Sequence, residues 1–263
     1  MSNSPLHDRA VDTTCLTTRS QLNQRFGTAD FGAWTQNLIS SLPSGRILDL
    51  CCGTGNQLVL YASRSDCKSL VGLDSSTDSL AIAQDRLKAL PSVVDTNFVC
   101  TELDDAFLHP NLAHSQFDVI GCFYGLYYAR QPEVVLRAAM ERLVEGGAVL
   151  IVGPYGANNR SIFELLQHHY TLPDLVIRSA TTFMTEEIIP ILSSHLNVRK
   201  ETLVNRVCYP NAGSLIDYWR ASTFHSASHD EAVVKEINNH FNSHDVFIIE
   251  KHVMAAVGMG RSA

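Results

Sequence analysis

Residues 46–56, RILDLCCGTGN, and residues 71–80, VGLDSSTDSL, decide how this chain folds. Ile47, Leu48 and Leu50 form a short apolar run that stops at Cys51 and Cys52, and two glycines follow, separated only by Thr54. This pattern predicts a buried strand, a tight loop and a helix. Glycine is wanted at Gly53 and Gly55 because the loop must reach positive φ. A side chain there would also hold a ligand away from the backbone N–H groups. Those groups and the start of the following helix make a site for negative charge. Leu70, Val71 and Leu73 predict a second strand that ends on Asp74, a carboxylate about 20 residues beyond the loop and placed to accept hydrogen bonds from a ribose. The two stretches together predict a nucleoside site on a parallel sheet.

The spacing narrows the nucleoside. A dinucleotide fingerprint asks for a third glycine where the helix packs on the strand, but Leu58 stands there, which argues against a nicotinamide or flavin enzyme. No G-x-x-x-x-G-K-[ST] run occurs, so an ATP or GTP phosphate cradle is not expected.

The run over 47–55, followed by Gly72-Leu73-Asp74-Ser75-Ser76, resembles the first two motifs of the class I S-adenosylmethionine-dependent methyltransferases, with Asp49 matching the acidic residue of their first strand. The resemblance covers 46–152. It implies an α/β, Rossmann-like fold: a seven-stranded, mostly parallel sheet with an antiparallel edge strand, helices on both faces and helical cap insertions. It also implies S-adenosyl-L-methionine as cofactor. Asp49, Cys51, Gly53 and Gly55 would surround the methionine part, and Asp74 and Ser75 the ribose. Glu102 and Leu103 would meet the adenine, Cys122 and Phe123 would lie at the fourth strand tip, and Arg25 would reach in from an N-terminal helical segment.

Composition sets outer limits. A chain of 263 residues, 45% hydrophobic, suits one elaborated domain. The expected layout is a disordered segment over 1–14, a helical cap over 15–45, a cofactor-binding core over 46–153, and acceptor-side insertions over 154–195 and 210–244. A formal net charge of −7 without a Lys/Arg cluster argues against nucleic acid as partner. The seven cysteines read as reduced thiols with no metal-ligand spacing, and no metal is expected. The polar N-terminus has no apolar leader and no run reaches membrane-span length, so a cytoplasmic, soluble monomer or homodimer is expected.

Along the chain, helices are expected from about Cys15 and over 30–42, and over 77–89, with the third strand at 97–100. TELDD follows that strand. Glu102 is the candidate acid, Asp104 and Asp105 compete with it, and a solvated acidic turn is the plain alternative. The fourth strand, 117–123, runs into YGLYYARQPE. It puts Tyr124, Tyr127 and Tyr128 near the carboxyl ends of the strands, where ligands bind in open parallel sheets, as acceptor-site or packing residues. A helix over 132–143 should close at Gly146-Gly147, before a fifth strand at 148–152. PYGANNRS follows and adds Tyr155 to the acceptor candidates. Helices are then expected over 161–170 and over 185–193, the latter interrupted at Pro190. Strands at 196–209 and 245–257 enclose helices over 214–221 and 230–241, a long insertion read as a cap on the acceptor pocket, with Tyr218, Trp219 and Arg220 as pocket residues.

Methyl transfer from a sulfonium is an in-line displacement. Where a hydroxyl or ammonium acceptor must lose a proton, His168, His169 and His225 are candidate bases, although a lone histidine is more often structural or exposed. A small-molecule acceptor is expected, with oxygen preferred over nitrogen. The alternatives are methylation of a protein or carrier-bound acyl group, and a non-catalytic protein that binds S-adenosylmethionine or its demethylated product.

Overall fold

A computed structural model describes Arg9, residues 12–91 and residues 94–260. Most of the segment expected to be disordered, 1–14, lies outside the described residues. Asp12 caps helix α1 (Thr13–Phe26), its carboxylate accepting the Cys15 N–H at 2.8 Å.

Seven strands form the sheet: β1 (Gly45–Leu50), β2 (Cys67–Asp74), β3 (Asp95–Cys100), β4 (Phe117–Phe123), β5 (Leu143–Pro154), β6 (Asn197–Tyr209) and β7 (Phe247–Met259). Their order is β3-β2-β1-β4-β5-β7-β6, mostly parallel with one antiparallel edge. β1 and β4 are buried nearly end to end, as central parallel strands covered on both faces must be. The chain leaves β1 toward β2 and β3, then returns to β4 on the other side of β1. The strand order therefore reverses between β1 and β4, and a crevice opens at such a reversal, at the carboxyl ends of the strands.

The remaining helices are α2 (Phe31–Ser40), α3 (Asn56–Ala62), α4 (Thr77–Lys88), α5 (Pro132–Glu141), α6 (Arg160–Gln167), α7 (Asp174–Thr181), α8 (Ile189–His195), α9 (Ala212–Ala221) and α10 (Asp230–Phe241). Three expectations need correcting. Gly146-Gly147 does not separate a helix from β5 but lies inside the strand. Gly146, at φ +76°, absorbs extra residues in a bulge, so that Phe117 pairs with Leu143 but Val119 with Ala148. Pro190 does not interrupt a helix. It occupies the first turn of α8, where no N–H is needed, after a π-helical turn over Phe183–Ile188. Helix α7 was not foreseen, because eight residues starting after Pro173 give too short a periodic pattern.

The chain divides into two units. Among the described residues, the core unit comprises those of Gly32–Gly153, Phe183–Glu201 and 254–260; the second unit comprises those of 9–31, Pro154–Thr182 and Thr202–Val253. Residues 183–195 thus group with the core unit, where Phe183, Met184, Ile188 and Leu192 are buried. The second unit has its own apolar centre, with Phe163, Leu166, Val207, Tyr209, Trp219 and Ile237 among its members. Each fully buried large side chain contributes about 1.5–3 kcal/mol. Two arginines close the end of α9: Arg19 donates to the Ala221 carbonyl at 2.6 Å, and Arg9 to the carbonyls of Ser222, at 3.0 Å, and Arg220. Cations on the last carbonyls oppose the negative end of the helix dipole.

Candidate active site

Asp49 stands one residue before the end of β1, paired with Gly72 on β2 and Gly121 on β4. Having glycine on both sides leaves its side chain room, and the room holds few donors. The residue is 1% exposed and neither carboxylate oxygen has a hydrogen-bond partner. Burial, reinforced by the nearby Asp74 carboxylate, pushes its pKa well above the usual range. The Tyr61 hydroxyl is also buried without a partner. A Cβ at Gly121 would lie 2.8 Å from that hydroxyl and 3.6 Å from Asp49 Oδ1, so the two orphaned groups border one spot.

Beyond β1 the loop is left-handed at Cys51 (φ +58°), Gly53 (+52°) and Gly55 (+82°). Asp74 clamps it from β2, with Oδ2 accepting the Gly53 N–H at 2.8 Å and Oδ1 the Ser76 N–H at 3.0 Å. Arg86 holds it from α4 through the Thr54 carbonyl at 3.0 Å and hydroxyl at 3.1 Å. Gly55 has a packing reason beyond its φ: a Cβ there would come within 2.8 Å of the Ala83 Cβ on α4. Leu58, which stands in place of the third fingerprint glycine, finds its space at Gly72, where a Cβ would meet it at 2.8 Å. The glycine has in effect moved from helix to strand.

At the tip of β4, Cys122 and Phe123 are buried and Tyr124 is left-handed at φ +55°, its N–H bound to the Val152 carbonyl at 2.9 Å. Burial raises the Tyr124 hydroxyl pKa. Gly125 follows because a Cβ there would lie 2.3 Å from the Cys51 Cβ; the tips of β1 and β4 interlock at that point. The Cys51 thiol is held well above its ordinary pKa by a hydrogen bond with Cys122 and then by burial. Non-glycine residues at positive φ cost about 1–3 kcal/mol each and cluster at functional sites. Tyr127 packs edge-on against Tyr128, with centroids 4.7 Å apart, and against Phe183 at 5.8 Å.

After β3, Glu102 is exposed at the start of a 3-10 turn over Leu103–Leu108, in which Leu103 is buried. Ser75 accepts a weak contact from the Cys100 thiol. Asp104 is already committed: it receives the N–H groups of Arg130 and Gln131 at 3.0 and 3.2 Å, fixing the entry to α5. That leaves Glu102 and Asp105 of the three acids.

The other expected site residues belong to the second unit. Arg25 is exposed, with its guanidinium 5.1 Å from the Phe26 ring centroid, on a groove of ≈ 810 Å³ that Cys15, Leu22 and Arg220 also line. Tyr155 meets His252 edge-on at 5.8 Å. Trp219, expected on a pocket wall, is instead fully buried in the apolar centre, its indole N–H donating to the Tyr170 hydroxyl at 3.3 Å. Arg220 is half exposed and paired with Asp230. The three histidines do not converge. His168 is exposed at the end of α6, and His169 Nε2 lies 3.9 Å from Glu236. His225 Nε2 lies 3.2 Å from Asp230, whose pKa Arg220 first and His225 second lower to about 2. Sequence reading missed Tyr61 and Lys251, because neither stands in a motif. Among the described residues no group of three or more metal-capable side chains gathers, and no helix is long and apolar enough to cross a membrane.

Residues 47–147 match the family model described as "Methyltransferase domain". The chain is 28% identical over 131 residues to a carboxy-S-adenosyl-L-methionine synthase from Trichodesmium erythraeum, covering 49% of each chain. It is also 28% identical over 140 residues to a ubiquinone biosynthesis O-methyltransferase from Bordetella avium, covering 53% of this chain and 55% of that one. It spans about half the length of these curated relatives. Among solved structures, the plantazolicin methyltransferase BpumL in complex with SAH superposes with a TM-score of 0.52 at 17% identity, over 98% of this chain and 94% of that one. Over residues 47–147 the chain is thus similar to the methyltransferase domain family, and its sheet has the class I, Rossmann-like form.

Proposed function

We propose that this protein is an S-adenosylmethionine-dependent methyltransferase acting on a small-molecule acceptor, with oxygen as the favoured acceptor atom. Asp49 carries the reading. A buried carboxylate without donors is costly, and a ligand bearing an ammonium group supplies the donors it lacks. The adjoining glycine loop offers backbone N–H groups to a carboxylate, so the two features together fit an α-amino-acid tail. Asp74 uses one acceptor site on each oxygen for the loop and keeps the others for ribose hydroxyls. Exposed Glu102 fits an adenine amino group.

When bound, S-adenosylmethionine supplies a methyl group activated by its sulfonium. The chain's own part is alignment, which contributes up to about 7–11 kcal/mol in favourable cases. The aromatic tip of β4, with Phe123 and Tyr124, suits a neighbouring cation. The preference for oxygen draws support from the ubiquinone-pathway relative, itself an O-methyltransferase by name.

The test is calorimetric titration with S-adenosylmethionine and S-adenosylhomocysteine, followed by turnover with a panel of small acceptors. Saturable binding of both, with methyl transfer to at least one acceptor, is expected. Binding without transfer to any acceptor would favour a sensor, and absence of binding would end the methyltransferase reading.

A further inference from the structure

Lys251, on β7 in the second unit, is a partly buried amine whose hydrogen-bond partners are all uncharged. Its amine donates to Asn159 Oδ1 at 2.5 Å and to the Tyr218 hydroxyl, and lies 4.1 Å from the Tyr218 ring centroid. No carboxylate pairs with it among the described residues. Burial first, and then the like charge of Arg19 on α1, disfavour the ammonium form. Lysines buried for structure alone are ordinarily paired with an acid.

The surroundings are arranged rather than loosely packed. Asn159 is left-handed at φ +62°, and its N–H is tied to the Glu250 carbonyl at 3.0 Å, fixing its amide against β7. The Tyr218 hydroxyl also lies 3.4 Å from Asn159 Oδ1. Tyr209 on β6 stacks obliquely on Tyr218, with ring centroids 5.4 Å apart, and its fully buried hydroxyl has no partner. Phe26 and Phe224 complete an aromatic lining, 5.8 Å from Tyr209 and 6.3 Å from Tyr218. An ammonium has three hydrogens to donate, and two acceptors serve it here. Of the polar atoms here, the buried Tyr209 hydroxyl is the one left without a partner.

We propose that Lys251, Tyr218 and Tyr209 form a binding site for an oxyanion carried on an aromatic ring, a carboxylate or a phenolate. The anion supplies the missing charge, so Lys251 takes up a proton from solvent as the ligand binds, giving an ammonium–oxyanion pair. Arg19 on α1 acts on the amine with like charge, and Tyr218 from α9 and Tyr209 from β6 stay neutral, because burial raises both phenols. As a binding site, this cluster does not rest on the methyl-transfer reading.

The test titrates the full-length protein by calorimetry near pH 7.5 with benzoate and 4-nitrophenolate, using benzamide and 4-nitroanisole as uncharged shapes, in two buffers of different ionisation enthalpy. The expected result is saturable binding of at least one anion, neither neutral shape binding, and a buffer-dependent heat that reports proton uptake. Lys251→Met should weaken that binding by about tenfold or more and abolish the buffer dependence. Tyr218→Phe, which keeps the ring, should weaken it less. Both variants should keep the wild-type affinity for S-adenosylhomocysteine, which shows that they fold. Two results would overturn the site: neither anion saturating by about 10 mM in protein that binds S-adenosylhomocysteine, or equal anion affinity in Lys251→Met. Anion binding in protein that ignores S-adenosylhomocysteine would instead sink the methyl-transfer reading and leave this site standing.

Discussion

Asp49 and Lys251 are mirror cases. Asp49, in the core unit, is fully buried without an opposite charge, and Lys251, in the second unit, is partly buried without one. Each is therefore pushed toward its neutral form, the acid upward and the amine downward. A fold that kept such groups for stability alone would have paired them. The pair teaches that a buried charge lacking its counterion is a statement about a ligand, and that the chemistry of the missing partner can be read from its sign: a cationic amine at Asp49, an oxyanion at Lys251.

The largest expected effect separates the two. Asp49→Asn should lower affinity for S-adenosylhomocysteine by about 100-fold, close to 3 kcal/mol, because it removes one side of a buried charge pair. In the free protein the same change acts the other way. The folded pKa of Asp49 lies above its ordinary value of 3.8, so the folded state holds the proton longer than the unfolded one. Stability therefore falls as pH rises from about 4 toward the raised pKa, and Asp49→Asn should flatten that slope in thermal melts taken across the range. A variant that binds like wild type would break the comparison at its stronger end.

Next in size is the interlock of β1 and β4. Gly125→Ala must displace the Cys51 Cβ and should cost about 1–3 kcal/mol. Adding Cys51→Gly should recover most of it, because it removes the obstructing side chain and relaxes a left-handed backbone. Denaturant melts of the two singles and the double measure the coupling. Near-additive losses would show that the two tips do not depend on each other.

Much of this was legible beforehand. The core strands and the glycine loop were readable because central parallel strands are written as short apolar runs and left-handed turns as glycine. Asp49 and Asp74 came with them, at strand ends set by the same runs. The second unit was less legible. Trp219 looked like a pocket residue because exposure cannot be read from an amphipathic helix end. Lys251 sits among FIIEKHVM, where a lysine beside Glu250 and His252 reads as solvated. Only the three-dimensional placement of Asn159 and Tyr218, 92 and 33 residues away, shows otherwise.

Two smaller effects sharpen the contrast. The folded pKa of Lys251 is depressed, so its penalty is present below its ordinary pKa of 10.5 and vanishes above it. Lys251→Met should therefore raise Tm by about 2–4 °C near neutral pH, with the gain shrinking as pH approaches that value. A gain independent of pH would mean that the amine is charged and satisfied. Tyr61→Phe should change stability by no more than about 0.5 kcal/mol, since its hydroxyl has no partner to lose. A loss well beyond that would reveal a bridge between Tyr61 and Asp49.

The most direct test of the central claim is a crystal structure of the protein with S-adenosylhomocysteine. The amino-acid end of the ligand is expected at Asp49 and the glycine loop, with its ribose on Asp74. Ligand bound elsewhere, or Asp49 still without a donor in a crystal that contains the ligand, would contradict it.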